Sequence, residues 1–164
     1  MKRYFLDTSA LVKHYHQEVG TDTVDEIFNS KERLLLISDI SIIEFHSALG
    51  LKVRTAEITK DTFKHAIGLF AQDITNTKYQ IETFGNTQKK EAADLLIRYA
   101  PEHHIRTLDS MQLSVMKSAS IVDHIESVLC ADKRFCEIIH LEGFKVINPE
   151  EPWLSTEEIS NVKA

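Results

Sequence analysis

Four short, continuous apolar runs separated by helical patterns are the feature that most constrains the fold of this chain. The runs cover residues 3–6, 34–37, 127–131 and 144–147. Runs of this kind are typical of parallel strands that are buried on both faces of a sheet. Between them, apolar residues recur at helical spacing, as in Ile42, Phe45 and Leu49. We therefore predict an α/β fold in which helices flank a parallel sheet of four strands, or of five if residues 79–84 also form a strand.

The length and the even composition favour one domain. The 164 residues contain no linker, repeat or low-complexity tract, so we predict a single domain over 1–150 and a C-terminal tail over 151–164. In the tail, Trp153 is expected to pack back on the body. No apolar run approaches the roughly 20 residues that cross a bilayer, and the N-terminus lacks a signal peptide, so we predict a cytoplasmic protein with no membrane partner.

Acidic residues follow the predicted strands. Asp7 comes directly after the first strand and Asp132 directly after the third, and the carboxyl ends of parallel strands meet at one edge of a sheet. Asp109 opens the helix before the third strand, and Glu44 lies in the helix after the second. The topology can therefore bring four carboxylates together. Oxygen ligands suit Mg²⁺ or Mn²⁺, and a cation would relieve the repulsion between clustered like charges.

Each acid also has a purely structural interpretation. Asp109 with Gln112 could form a capping box, and Asp7 and Asp132 could each cap the helix that follows. Glu44 could be an exposed helical charge, although its neighbours are apolar. Taken singly, these interpretations are preferred, but the shared position of the four acids favours a functional site.

Charge and glycine content exclude several functional classes. The net charge is −6, from 19 basic and 25 acidic residues, which argues against a protein that coats nucleic acid but not against an enzyme that cuts it. The five glycines are scattered, so neither a Walker loop nor a dinucleotide fingerprint is present, and there is no G-x-S-x-G elbow. Cys130 and Cys136 lie six residues apart, which is not a zinc-ligand spacing.

Four motifs and the last strand resemble those of the PIN-domain ribonucleases, and together they extend over nearly the whole chain. They are DTSALVK at 7–13, SIIEF at 41–45, LDSMQL at 108–113, ADKRF at 131–135 and GFKVINP at 143–149. Size and motif order are most similar to VapC-type toxins of toxin–antitoxin pairs. One departure is Cys130, because the family commonly has Ser or Thr two residues before the fourth acid.

The resemblance implies a PIN-like, Rossmann-like sheet and a site whose catalytic and metal-binding residues are Asp7, Glu44, Asp109 and Asp132. It implies Mg²⁺ or Mn²⁺ as the cofactor and hydrolysis of single-stranded RNA by metal-activated water. It also implies a homodimer and a cognate antitoxin protein that blocks the site. We expect the antitoxin to dock in an apolar groove between the helices that begin near Ser41 and Asp61.

Residues next to the four acids are further candidates. Thr8 and Ser9 could orient the Asp7 carboxylate or a bound water. A second group, which flanks the acids in sequence, could contact phosphate or be solvated surface charge: Lys13, Lys133 and Arg134. The histidine pairs 14/16 and 103/104 are not expected to act as acid and base, because nothing places them near each other.

The leading interpretation is a metal-dependent endoribonuclease of the toxin type. The alternative is a catalytically inactive PIN-like module that binds RNA or protein. A nuclease for structured DNA comes last, because the chain has no room for added arches or domains.

Overall fold

The computed structural model describes residues 1–151 and has α/β architecture. Its strands are β1 (Lys2–Leu6), β2 (Arg33–Ser38), β3 (Tyr79–Glu82), β4 (Ser127–Leu129) and β5 (Val146–Ile147). The helices in this part of the chain are α1 (Thr8–Tyr15), α2 (Thr21–Phe28), α3 (Asp39–Arg54), α4 (Lys60–Thr75), α5 (Asn86–Tyr99), α6 (Thr107–Val122) and α7 (Lys133–Leu141). The predicted α/β fold is confirmed, and β3 makes the sheet five-stranded.

The five strands form one parallel sheet in the order β3-β2-β1-β4-β5. The central strand β1 pairs with β2 on one side and with β4 on the other, and Leu6 lies opposite Leu129. The next backbone N–H, that of Asp7, donates to the Leu129 carbonyl at 2.9 Å. This register brings the residues that follow β1 and β4 to the same edge of the sheet.

Two apolar clusters cover the two faces of the sheet. Successive side chains of a strand point to opposite faces, so Tyr4 and Leu6 of β1 join one cluster and Phe5 joins the other. Helices α1 to α4 complete the first cluster, and α5 to α7 complete the second. Burial on both faces explains why the strands are continuous apolar runs rather than alternating ones.

Local capping signals start several helices. The Ser38 hydroxyl accepts the Ile40 N–H at the start of α3, and the Thr59 hydroxyl accepts the Thr62 N–H at the start of α4. Gly20, at the start of α2, has φ +91°, and a Cβ there would lie 2.7 Å from the Pro149 carbonyl oxygen. Glycine is therefore required where the α1–α2 corner meets the segment after β5.

The apolar faces of α3 and α4, between which we expected the antitoxin to dock, belong to the core. Phe45 and Leu49 of α3 and Phe70 of α4 are buried in the core, and the rings of Phe45 and Phe70 lie 4.1 Å apart between centroids. The apolar faces of α3 and α4 are buried because the two helices pack on each other.

Two further predictions concern the ends and the environment of the chain. The packing of Trp153 lies outside the described residues, and the division at residue 150 stays a prediction. Within residues 1–151, no helix is long and apolar enough to cross a membrane.

Candidate active site

Asp7 is held at the junction of β1 and α1. Its Oδ2 accepts the Ser9 N–H at 3.0 Å and the Ser9 hydroxyl at 2.5 Å, so Asp7 caps α1. The Ser9 Oγ also accepts the Ala131 N–H at 2.9 Å, which ties Asp7 to the loop after β4. The capping interpretation of Asp7 is correct, yet its Oδ1 has no hydrogen-bond partner among residues 1–151.

Glu44 lies in the second turn of α3 and is held by two other helices. Its Oε2 accepts the Thr8 hydroxyl at 2.9 Å and the Gln112 amide at 2.5 Å. The same Gln112 nitrogen lies 2.9 Å from the Ser41 hydroxyl. Thr8 therefore supports Glu44 rather than Asp7, whereas Ser9 supports Asp7 as expected.

Asp109 and Asp132 share one arginine. Helix α6 begins at Thr107 with Arg106 as its N-cap, so Asp109 is the third residue of the helix and does not open it as predicted. Asp109 Oδ2 accepts the Arg106 N–H at 2.8 Å and the Arg106 Nε–H at 3.2 Å. Arg106 Nη2 donates to Asp132 Oδ2 at 2.5 Å, while Asp132 Oδ1 caps α7. The alternative capping box of Asp109 with Gln112 is wrong, because Gln112 reaches Glu44.

All four acids line one cavity of about 300 Å³ at the carboxyl edge of the sheet, here called the acid cavity. Thr8, Ser9, Arg54 and Arg106 also line it, together with a few apolar residues of α3 and α6. The convergence that the topology suggested is therefore present in the structure.

The electrostatics of Asp7 reflect this crowding. The pKa of the Asp7 carboxyl is raised to about 6, mainly by burial, since Asp7 is only 7% exposed. The Ser9 hydrogen bonds oppose this rise, and the charges of Glu44 and Asp109 add to it. The hydrogen bonds that the Arg106 guanidinium donates to Asp109 raise its pKa. A cavity with four carboxylates and one bridging guanidinium favours the binding of further positive charge.

The acid cavity fits a hard divalent cation by its donor chemistry. Its acidic ligands offer only oxygen, and Asp7 Oδ1 and Glu44 Oε1 make no hydrogen bond within residues 1–151. In this described part of the chain, no three acidic, histidine or cysteine side chains stand close enough to form a ready-made metal cage. Arg106 lies between Asp109 and Asp132 and forms an ion pair with each.

The comparison of the sequence with known families gives one match, to the PIN domain, over residues 4–141. The chain belongs to the PIN-domain family. No curated protein matches it by sequence.

Solved structures with similar folds support the same architecture. VapC20 of Mycobacterium tuberculosis, a sarcin-ricin loop cleaving toxin, has a TM-score of 0.63 and 18% identity, over 88% of this chain and 97% of that one. DNA-bound VapBC of Salmonella typhimurium has a TM-score of 0.62 and 13% identity, over 90% and 98%. FitAcB of Neisseria gonorrhoeae has a TM-score of 0.60 and 14% identity, over 91% of this chain and 99% of that one. At these identities the likeness concerns the fold.

The basic residues around the acids of this PIN domain differ from those predicted. Lys13 is 4% exposed, and its ammonium is held by Glu18 at 3.0 Å, by Glu150 at 2.7 Å and by the Val19 carbonyl. Lys13 is therefore not a solvated surface charge, and its contact with phosphate stays a prediction. The correction follows from burial, because a buried ammonium requires fixed acceptors.

Lys133 and Arg134 are exposed in the first turn of α7 and do not line the acid cavity. Lys133 Nζ lies 3.6 Å from a Glu151 oxygen. The structure leaves their phosphate contact as an untested prediction.

Two residues of the PIN domain that line the acid cavity were not anticipated, Arg54 and Arg106. Arg54 ends α3, is exposed, and makes no ion pair within residues 1–151. A sequence signal exists, because helical side chains lean toward the N-terminus and Arg54 therefore extends back along the helix that carries Glu44. Gln112 had a signal too, as a polar residue in the otherwise apolar stretch of α6.

No cysteine or histidine of residues 1–151 lines the acid cavity, but Cys130 contacts one of its acids. Cys130 is buried with its Sγ 3.7 Å from Asp7 Oδ2, and hydrogen bonding with Cys136 together with burial raises the pKa of its thiol. None of the four histidines considered lines the cavity, as expected.

Proposed function

We propose that this PIN domain is a Mg²⁺- or Mn²⁺-dependent endoribonuclease that hydrolyses phosphodiester bonds of single-stranded RNA. The observation that carries the proposal is the acid cavity, where carboxylates from four separate segments meet at one edge of the sheet. The metal-binding and catalytic residues would be Asp7, Glu44, Asp109 and Asp132. A nuclease site of this kind requires no covalent nucleophile from the protein.

The bound metal would lower the pKa of a water molecule and stabilise charge on the attacked phosphate. The protein's own residues supply the rest. Ser9 fixes the orientation of Asp7 through two hydrogen bonds, and Thr8 and Gln112 fix one oxygen of Glu44. The second carboxylate oxygens, Asp7 Oδ1 and Glu44 Oε1, accept no hydrogen bond within residues 1–151 and could bind the cation. Fixed carboxylates lower the cost of organising a metal site.

Arg54 is the residue we assign to the substrate phosphate. Its guanidinium lines the acid cavity, and no carboxylate among residues 1–151 pairs with it. A planar guanidinium matches two phosphate oxygens, so Arg54 can hold a phosphodiester beside the acids. One such contact also fits a protein of net charge −6, because binding then depends on a local cation rather than on a broad basic surface.

We further propose that the protein is a cytoplasmic toxin, acts as a homodimer and is inhibited by a cognate antitoxin. The support is the family together with similar folds that were solved as a toxin, as VapC20, and as toxin–antitoxin complexes, as VapBC. An apolar cavity of about 560 Å³ adjoins the acids between α3 and α6, and Ile43, Phe84, Leu108 and Met111 line it. Expression without the antitoxin should arrest growth, and light scattering should give the mass of two chains.

The direct test is cleavage of a labelled single-stranded RNA by the purified protein. We expect cleavage with Mg²⁺ or Mn²⁺, none with chelator, and a loss on the order of a hundredfold or more in Asp7→Asn, because one ligand charge is removed. The matched control is Asp94→Asn, an exposed acid of α5 outside the cavity. Cleavage that persists in Asp7→Asn would refute the proposal, and a flat Mn²⁺ titration would favour the inactive binding module.

A further inference from the structure

Arg106 occupies an unusual position for an arginine in a proposed metal site. Its guanidinium lines the acid cavity and contacts two of the four acids, with Nε 3.2 Å from Asp109 Oδ2 and Nη2 2.5 Å from Asp132 Oδ2. Nη2 also lies 3.5 Å from Asp109 Oδ1. One side chain therefore reaches both oxygens of Asp109 and one of Asp132.

The backbone keeps this arginine in place without help from its side chain. Arg106 is the N-cap of α6, and its N–H donates to Asp109 Oδ2 at 2.8 Å. The N-cap position sets the starting point of the side chain next to the third acid. Substitution of the guanidinium leaves this backbone hydrogen bond intact.

The guanidinium itself is readily displaced. The Arg106 side chain is 60% exposed, so water can solvate its charge when the ion pairs break. Its partners are less exposed, at 11% for the Asp109 side chain and 30% for that of Asp132, so each ion pair is placed at the upper end of the roughly 0.2–1 kcal/mol of exposed pairs. A divalent cation carries twice the charge and has the carboxylate oxygens of Asp109 and Asp132 as its natural ligands.

We propose that Arg106 is an internal counter-ion that competes with the divalent metal for Asp109 and Asp132 and thereby weakens metal binding. It neutralises two crowded carboxylates when no metal is bound, and it leaves their oxygens when the cation enters. The affinity of the site then reflects the difference between two cations, one of which belongs to the protein. This inference rests on the proposed metal-dependent function.

The test is calorimetric titration of Mn²⁺ into the full-length chain, prepared with chelator and dialysed, as wild type and as Arg106→Gln. Loss of the competing charge should tighten Mn²⁺ binding about fivefold, as expected for a partly exposed ion pair worth about 1 kcal/mol. The matched control is Arg98→Gln, which changes the net charge equally but removes an exposed pair with Glu142. Its Mn²⁺ affinity should equal that of the wild type.

Thermal unfolding gives a second measurement that does not depend on activity. In chelator, Arg106→Gln should melt below the wild type because Asp109 and Asp132 lose their counter-ion, and Mn²⁺ should raise its melting temperature by more than it raises that of the wild type. Unchanged or weaker Mn²⁺ binding in Arg106→Gln would overturn the inference, and so would an equal tightening of Mn²⁺ binding in Arg98→Gln. In either case, Mn²⁺ binding by the wild type would still support the proposed function. Absence of Mn²⁺ binding in both the wild type and Arg106→Gln would refute both.

Discussion

Replacing Gln112 by leucine removes the amide that joins α1, α3 and α6 beside the acid cavity. Its nitrogen lies 2.5 Å from Glu44 Oε2, 2.9 Å from the Ser41 hydroxyl and 3.3 Å from the Thr8 hydroxyl. The amide has only two N–H protons, so at most two of the three contacts are full hydrogen bonds. The residue is 1% exposed, which means that water does not replace these contacts freely.

The expected magnitude follows from gains and losses. The bond to the charged Glu44 contributes about 2 kcal/mol and that to the Ser41 hydroxyl about 1 kcal/mol. In the opposite direction, Gln112 Oε1 is buried without a hydrogen-bond partner in the described residues. Removing this unsatisfied oxygen should stabilise the folded state by about 1 kcal/mol. Glu44 is itself only partly buried and can recover some hydration. We therefore expect Gln112→Leu to lower the free energy of unfolding by about 1–2 kcal/mol.

Urea unfolding in chelator, followed by circular dichroism, measures this change. The control is Gln72→Leu, because Gln72 is an exposed residue of α4 that makes no side-chain hydrogen bond in the described part of the chain. Mn²⁺ binding should weaken in Gln112→Leu as well, since Glu44 loses one of its two fixed donors. A loss of stability no larger than that of the control would refute the reasoning.

Three further predictions concern pH, substrate and backbone. Mn²⁺ affinity should fall about tenfold per pH unit below about pH 6, because the Asp7 carboxyl takes up a proton there. The stability of the metal-free protein should change in the opposite direction, because the raised pKa of Asp7 stabilises the fold below about pH 4 and this contribution is lost as the pH rises through about 6. Calorimetry with Mn²⁺ and thermal melts in chelator, both at about pH 4–8, measure the two effects. Arg54→Gln should weaken RNA binding and reduce the slope of the logarithm of the binding constant against the logarithm of the salt concentration by about 0.7. Fluorescence anisotropy measures this slope, with Arg98→Gln as the control, and an unchanged slope would exclude a phosphate contact. Gly20→Ala should cost more than about 1 kcal/mol in urea unfolding because of its φ of +91° and the contact with Pro149, whereas Gly68→Ala, with open space around it, should not destabilise.

The sequence determined the sheet wherever a strand is buried on both faces. The strands β1, β2 and β4 are mostly apolar runs, because burial on both faces favours apolar side chains. The strand β3 was ambiguous for the opposite reason: it lies at the edge of the sheet, and Gln80 and Ile81 are exposed, so its pattern is only partly apolar. Strand ends were also less certain, since β4 stops at Leu129 rather than at residue 131.

The sequence by itself also determined that four acids could meet, because the position of a residue after a strand is a local property and parallel strands share their carboxyl edge. Only the tertiary structure decided what each acid contacts. Arg106 lies on Asp109 and Asp132, and Gln112 lies on Glu44, although Asp132 and Glu44 are distant from these partners in sequence. The ion pairs of Lys13 could not be predicted for the same reason, since its partner Glu150 comes from the other end of the described chain. Contacts between segments depend on how helices pack on the sheet, and no periodicity along the chain encodes that distance.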